Sequence, residues 1–579
     1  MASHPSTLAL DSLVQDWLRL EKEVELLHQA NDYDELASRL CKRIKFGTAG
    51  LRAQMSAGFS RMNDVTVIQT SQGLAAYLIK GVPNAIQKGI VVGHDHRHNS
   101  ARFARLAVTA FLRRGFKCCL LDGPVATPMV PFAVKYIGAA AGVMVTASHN
   151  PAADNGYKLY YSNAVQIISP HDKGIAASIE QNLEIDQEAW CTEPTPQMSE
   201  GLLINRTQEL QDAYFDAISG SVNSKTPLKF IYTPMHGVGY PFASRACIEI
   251  AGIPPHAWLP VESQKNPDPD FPTVKFPNPE EKGALDMAMS LGEKTLETDH
   301  DQKLMIMAND PDADRFCAAE WTGSGLSSLA GLYKTSRNWG SHWISRREGF
   351  NFKETLTGFK NLGNEALNLE KEGYKVLFAY EEALGYMFET GIFDKDGIAS
   401  IVVWAELATE LAQRGSSVAD YLETIYKTYG YFATNNSYFI CKDPSAVNKK
   451  FEWLRFGEQP AGKPAGGSVD RSTMLSRLRF PSTLAGYPIT RIRDLTISYD
   501  NSRPPECLPD LPSSPTDQMI TFYVGGQGGE VVATLRTSGT ESWKLKYYVE
   551  GCANDRPTAQ HKVDLIVDAL AHEWAFSSL

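Results

Sequence analysis

Short apolar runs alternate with amphipathic stretches along much of the chain. "GIVVGHD" (89–95), "ARLAVTAFLRRG" (104–115), "KCCLLDG" (117–123) and "GAAAGVMV" (138–145) set this rhythm. It returns at "LKFIYTPMHGVG" (228–239), "KLMIMANDPDADR" (303–315) and "YKVLFAYEEALGY" (374–386), each read as an apolar strand ending in a polar loop that carries Gly or Pro. That alternation predicts βαβ units with helix-covered sheets, and the loops after such strands are where α/β proteins hold ligands. Upstream, Leu13, Trp17, Leu20, Val24 and Leu27 fall at helical spacing and predict an N-terminal helical arm within 7–43. Past residue 430 the texture changes. "YGYFATNNSYFICKD", "DLTISYD", "MITFYVGGQGG" and "EVVATLRTSGT" read as strands with turns, followed by a terminal helix over about 557–575.

Length fits this picture, because 579 residues at roughly 150 per domain correspond to about four domains. The expected division is 1–225, 226–325, 326–430 and 431–579: three α/β units and a smaller C-terminal α+β domain. A net charge of −11 without a basic stripe argues against a nucleic-acid partner. An anionic substrate must therefore be held by local basic groups. The nine cysteines are scattered without a C-x-x-C pair, which fits a reducing compartment. No apolar run is long enough to span a bilayer, and the N-terminus turns acidic where a signal peptide needs a basic start. A cytoplasmic protein without a membrane partner is expected.

Three motifs carry chemistry. In "DPDADR", Asp310, Asp312 and Asp314 alternate directly after an apolar strand, and an extended loop would aim all three carboxylates one way. Hard oxygen ligands at that spacing suit Mg²⁺, which relieves their mutual repulsion. An EF-hand is excluded because its required Gly and Glu are replaced by Arg315 and Trp321. "TASHNPAADNGYK" (146–158) breaks the strand before it with Ser148 and His149, and brings Lys158 soon after. Ser148 has no G-x-S-x-G elbow, and its neighbour His149 is poorly placed as a base for acyl transfer. A phosphoryl group on Ser148 would instead want a metal and cations, which the Asp loop, Lys158 and Arg52 can supply. The alternative is plain turn chemistry in "HNP" and "DNG". In "RTSGTE", Arg536, Thr537, Ser538, Gly539 and Thr540 have the makings of a phosphate cradle, or of a polar turn. Neither a P-loop nor a G-x-G-x-x-G fingerprint competes with it. "HDHRH" (94–98) offers three alternating histidines for zinc, or an Asp95–Arg97 ion pair that supports the site. Glu381 and Lys395 fall near predicted strand ends, where a carboxylate can accept sugar hydroxyls and a lysine can neutralise phosphate or move a proton.

Taken in order, "FGTAGLR", "GHDHR", "TASHNP..NGYK", "TPMHGVG", "DPDADR", "TLTGFK", "YEEALGY", "DKDG" and "RTSGT" resemble the α-D-phosphohexomutase superfamily, most closely its phosphoglucomutase/phosphopentomutase branch. The resemblance implies an α/β fold of four domains around a central cleft, three α/β with mixed sheets and a C-terminal α+β domain. It also implies Ser148 as the phosphoserine, and Mg²⁺ on its phosphoryl oxygen with Asp310, Asp312 and Asp314. Lys158 and Lys395 become acid/base and charge-stabilising candidates, and Arg52 and Arg315 line the phosphoryl site. His149, Thr357, Glu381 and Lys395 become substrate contacts, and Arg536, Thr537, Ser538, Gly539 and Thr540 the phosphate clamp.

The implied activity interconverts pentose or glucose 1-phosphates with their terminal phosphates through a sugar bisphosphate, in a monomer whose partners are small phosphosugars. A sugar-bisphosphate synthase on the same site, a catalytically impaired sugar-phosphate binding protein and a metal-dependent phosphatase are the alternatives. Three stretches depart from the family pattern. Ala383 replaces a common sugar-binding serine, "TESWKLKYY" replaces a Glu-Pro-Lys pattern, and 321–347 is shorter than the family's opening of domain three.

Overall fold

The computed structural model describes residues 22–48, 50–219, 226–298, 303–321, 326–328, 339–441, 444–457, 471–526, 529–537 and 544–578. They form two compact units, one of residues up to 330 with 357–418, the other of 331–356 with 419–579.

In the first unit, strands β1 (Leu51–Gln54), β2 (Ile90–His94), β3 (Cys118–Leu120), β4 (Ala141–Val145), β5 (Asp154–Tyr161) and β6 (Leu203–Ile204) form a six-stranded sheet ordered β1-β5-β4-β2-β3-β6. The β2, β3, β4 and β6 pairings are parallel, whereas β5 runs antiparallel to β4 and β1. Every residue of β2 and β4 is buried, which explains their unbroken apolar runs. The helix Asp64–Gly81 begins at a capping box, where Asn63 accepts from the Thr66 amide and Thr66 from the Asn63 amide. The arm appears as a helix over 22–29 and another at Tyr33–Leu40, the second capped by Asp32; its predicted start lies outside the described residues.

The second sheet joins β7 (Leu228–Thr233), β8 (Trp258–Pro260), β9 (Lys303–Asn309), β10 (Phe316–Trp321) and β11 (Leu326–Ser328) in the order β11-β10-β9-β7-β8. It too is mixed, with β7 parallel to β8 and β9, and β10 antiparallel to β9. The third region of this unit departs from the predicted single strand at 374–386. The segment folds as a hairpin of β12 (Phe378–Glu381) and β13 (Gly385–Phe388), because Leu384 takes φ 57° and reverses the chain. Helices Phe359–Lys371 and Gly397–Gln413 flank it in sequence.

The second unit contains the antiparallel sheet β14 (Tyr431–Ile440), β15 (Thr483–Leu484), β16 (Tyr487–Asp494), β17 (Tyr499–Asp500), β18 (Met519–Gly526), β19 (Gly529–Thr537) and β20 (Lys544–Ala553), ordered β14-β20-β19-β18-β16-β15 with β17 on β16. The helix Arg556–Ala571, capped by Asp555, buries Val563, Ile566 and Leu570. "DLTISYD" is mostly the turn between β16 and β17 rather than a strand, with Ser498 at φ 57°. Within this unit Arg493 forks onto Glu354 at 2.8 and 2.9 Å, tying 351–356 to the sheet. Among the described residues no helix is long and apolar enough to cross a membrane.

Candidate active site

Strand β4 ends at Val145, and the turn that follows places Ser148 in the left-handed region at φ 54°. A non-glycine residue holds that conformation only where its surroundings over-determine it, at roughly 1–2 kcal/mol. The Ser148 amide donates to Thr146 Oγ1 at 2.8 Å, and its hydroxyl donates to Asp310 Oδ2 at 2.9 Å. His149 Nδ1 lies 3.2 Å from the same hydroxyl. Burial, together with Arg315 and Arg52, pushes the His149 pKa down to about 2, so its ring stays neutral.

Lys158 is not in the turn but on β5, opposite Met144 of β4. The β4–β5 reversal therefore returns it to the site. Its ammonium lies 2.6 Å from Asp312 Oδ2 and 2.7 Å from Asp314 Oδ2. Burial opposes its charge, yet the two carboxylates hold its pKa above the usual lysine value.

The three aspartates converge by a different route from the extended loop expected. Ala313 turns the chain at φ 57°, and one oxygen from each of Asp310, Asp312 and Asp314 falls within 4.8 Å of the others. All three side chains are buried. Burial and its two acidic neighbours raise the Asp310 pKa well above the carboxylate range. Asp312 resists the same burial and stays below that range because of the Lys158 ammonium and the Thr127 hydroxyl. Asp312 Oδ1 and Asp314 Oδ1 have no hydrogen-bond partner. Buried oxygens left without partners beside a third carboxylate suit a hard divalent cation.

Around this centre, Arg52 Nη1 donates to Asn150 Oδ1 at 3.1 Å, which seats Arg52 against the Ser148 turn. The Arg315 amide donates to Asp310 Oδ1 at 2.9 Å and its Nε lies 3.9 Å from Asp310 Oδ2. Lys395 Nζ is 3.4 Å from Asp314 Oδ2 and 4.0 Å from Glu381 Oε1. Burial raises the Glu381 carboxyl. Thr357 donates to Glu382 Oε2 at 3.0 Å, beside Glu381. Arg536 and Thr537 end β19 in the second unit, with Arg536 Nη2 donating to the Tyr548 hydroxyl at 2.8 Å. Ser538, Gly539 and Thr540 lie outside the described residues.

The histidines of "HDHRH" do not gather. His94 Nδ1 pairs with the Asp95 carbonyl at 2.7 Å, His96 meets the Phe271 ring edge-on, and His98 Nε2 lies 2.7 Å from Asp270 Oδ1. The ion-pair alternative is realised, with Arg97 Nε 3.3 Å from Asp95 Oδ2.

Supports that sequence reasoning passed over hold the Asp loop. Thr127 donates its hydroxyl to Asp312 Oδ2 at 2.6 Å and its amide to the Asp312 carbonyl at 2.9 Å. Tyr232 donates to Asn309 Oδ1, whose amide group donates to the Arg315 carbonyl. A Cβ on Gly237 of "TPMHGVG" would meet Pro311 backbone at 2.4 Å, and one on Gly397 the Arg315 carbonyl at 2.4 Å, so both must be glycine.

Residues 43–186, 212–323 and 314–429 match the α/β/α domains I, II and III described for phosphoglucomutase/phosphomannomutase. The chain belongs to this family. It is 42 % identical to the human (Homo sapiens) phosphopentomutase, over 94 % of this chain and 92 % of the relative. It is 37 % identical to the human glucose 1,6-bisphosphate synthase, over 99 % and 95 %. The open form of the Paramecium exocytosis-sensitive phosphoprotein parafusin, a phosphoglucomutase, shares the fold with a TM-score of 0.62 at 17 % identity, covering 92 % of this chain and 95 % of that one. The phosphopentomutase alignment runs over 593 positions, more than the 579 residues here, so the relative carries residues this phosphomutase-family chain lacks.

Proposed function

We propose that this protein interconverts ribose or deoxyribose 1-phosphate with the 5-phosphate, and glucose 1-phosphate with glucose 6-phosphate, with Ser148 as phosphoryl carrier. The observation that carries the reading is the Ser148 hydroxyl 2.9 Å from Asp310 Oδ2, at the edge of a buried three-aspartate group. A nucleophilic oxygen beside a divalent-cation site is what in-line phosphoryl transfer needs. Asp310, Asp312 and Asp314 would hold Mg²⁺ together with a phosphoryl oxygen on Ser148, and the ion would neutralise charge on that group.

In the first transfer, the free sugar hydroxyl attacks phosphorus on phosphorylated Ser148, the P–Oγ bond breaks, and a sugar bisphosphate forms, the hydroxyl's proton passing in net to Ser148 Oγ. The bisphosphate turns round, and Ser148 Oγ then attacks its other phosphorus, its proton passing in net to the sugar oxygen that leaves with the product. Lys158 and Lys395 remain protonated among their carboxylates, so they stabilise charge and can donate a proton to a leaving oxygen. We assign Arg52, His149 and Arg315 to the phosphoryl group, Thr357 and Glu381 to sugar hydroxyls, and Arg536 to Thr540 to the non-reacting phosphate. The working protein is taken as a monomer, in a cytoplasm whose reducing conditions its nine free cysteines suit.

The bisphosphate-synthase reading uses the same groups, but the synthase relative stands at 37 % identity against 42 % for the phosphopentomutase, which favours the mutase. The test incubates the purified protein with ribose 1-phosphate and, separately, glucose 1-phosphate, with Mg²⁺ and trace bisphosphate. Formation of the 5- or 6-phosphate is expected. No product above a Ser148→Ala control would reject the reading, and bisphosphate formed only from an acyl-phosphate donor would favour the synthase.

A further inference from the structure

We propose that Arg97 is the positioning residue of the phosphoryl-carrying turn, a role that rests on Ser148 being the carrier. Its side chain is fully buried. Nη2 donates to the carbonyls of Ser148 and Asn150, each at 2.6 Å, and Nη1 to those of Pro151 at 2.8 Å and Asp154 at 3.2 Å. One planar guanidinium thus gathers the turn from 148 to 154 by four carbonyls.

The guanidinium is itself fixed on its remaining sides. Asp95 Oδ2 lies 3.3 Å from Nε, while Asp95 Oδ1 accepts from the Arg97 amide at 2.9 Å and from Ser100 Oγ at 2.6 Å. The Phe271 ring covers its face, with the guanidinium carbon 5.0 Å from the ring centre. Phe271 is buried and comes from the loop between β8 and the helix Asp286–Thr298, so a loop that follows a strand of the second sheet seals a support of the first. Covered from water, these charge-assisted bonds are stronger than neutral ones.

The left-handed Ser148 is anchored at its amide by Thr146 and at its carbonyl by Arg97. Those two peptide planes set where Oγ points. Arg97 touches no reacting atom, so its contribution is the aim of the nucleophile. A lysine keeps the charge but has no planar fork to reach these carbonyls together.

The test compares Arg97→Lys, Arg97→Ala and Phe271→Leu with the wild type, and uses Arg105→Ala, from an exposed pair with Glu193, as the control. Readouts are kcat and KM with ribose 1-phosphate, and the rate of Ser148 phosphorylation by sugar bisphosphate measured by mass spectrometry. The expectation for Arg97→Lys is a kcat lower by about 10²-fold, since misplacement of about 1 Å suffices for that. KM should hold near the wild-type value, Phe271→Leu should show a smaller loss in kcat, and free guanidinium should restore part of the Arg97→Ala activity. Wild-type kcat in folded Arg97→Lys, or a rise in KM alone, overturns the proposal. Should neither Arg97 variant fold, an unchanged kcat in Phe271→Leu overturns it equally. A wild-type protein that takes up no phosphoryl group on Ser148 would instead reject the carrier assignment.

Discussion

Replacing Lys158 with methionine keeps most of the buried stem and removes a charge that bridges Asp312 at 2.6 Å and Asp314 at 2.7 Å. Both carboxylates are wholly buried, and Asp310 beside them has its pKa raised by the same crowding. Removing one partner of a buried ion pair costs about 3–5 kcal/mol, because the other partner keeps its desolvation penalty. At about 1.4 kcal/mol per tenfold, that corresponds to roughly two to three and a half orders of magnitude in local opening. Hydrogen exchange of peptides from β5 and β9 reads this directly and avoids treating a chain of several domains as two-state. In EDTA, Lys158→Met should exchange faster by that factor. Added Mg²⁺ should slow it, since a ligand at about 100 times its Kd contributes about 2.7 kcal/mol. Unchanged exchange in EDTA, or no response to Mg²⁺, would refute the view that Lys158 and a divalent cation share the charge of the Asp loop.

Three further outcomes follow from the same geometry. Asp312→Ala should weaken Mn²⁺ binding, followed by electron paramagnetic resonance, and lower kcat by at least about 10³-fold; full metal affinity would remove Asp312 from the ligand set. Gly237→Ala puts a Cβ 2.4 Å from Pro311 backbone, so overpacking should destabilise the protein by about 1–3 kcal/mol and lower kcat as the Asp loop shifts. A variant with wild-type urea midpoint and kcat would show that the backbone can yield. Burial raises Asp396 from 3.8 to about 6 against hydrogen bonds from Ala399, Tyr214 and Ile398. The stability linked to its protonated form is complete below about pH 4 and lost as pH rises through about 6. Asp396→Asn stays neutral and should gain about 3 kcal/mol on wild type between pH 4 and 7, read as diverging urea midpoints; parallel curves would count against the burial argument.

How far the sequence reaches can be judged from particular segments. The apolar runs at β2, β4 and β9 announce buried strands, since burial on both faces leaves no polar alternation. "DPDADR" announces by charge alone a three-carboxylate group able to hold a cation. The means of convergence is not legible. A left-handed Ala313 gathers the carboxylates, and a left-handed Leu384 folds 374–386 into a hairpin, and neither residue type favours that conformation. Lys158 reaches the Asp loop because β5 returns antiparallel to β4, a pairing that residue spacing cannot encode. Thr127 is silent for a similar reason. It looks like any threonine in a Pro-bearing loop until the fold sets it on Asp312, 185 positions away. In "HDHRH" the histidines draw attention, while Arg97 holds the Ser148 turn.

The most direct test of the account is peptide mass mapping after incubation with sugar bisphosphate and Mg²⁺, followed by a chase with ribose 5-phosphate. Ser148 is predicted to gain one phosphoryl group and to pass it to the sugar phosphate on the chase. An unmodified Ser148 under conditions that sustain turnover, or a phosphoryl group that leaves only to water, would contradict it.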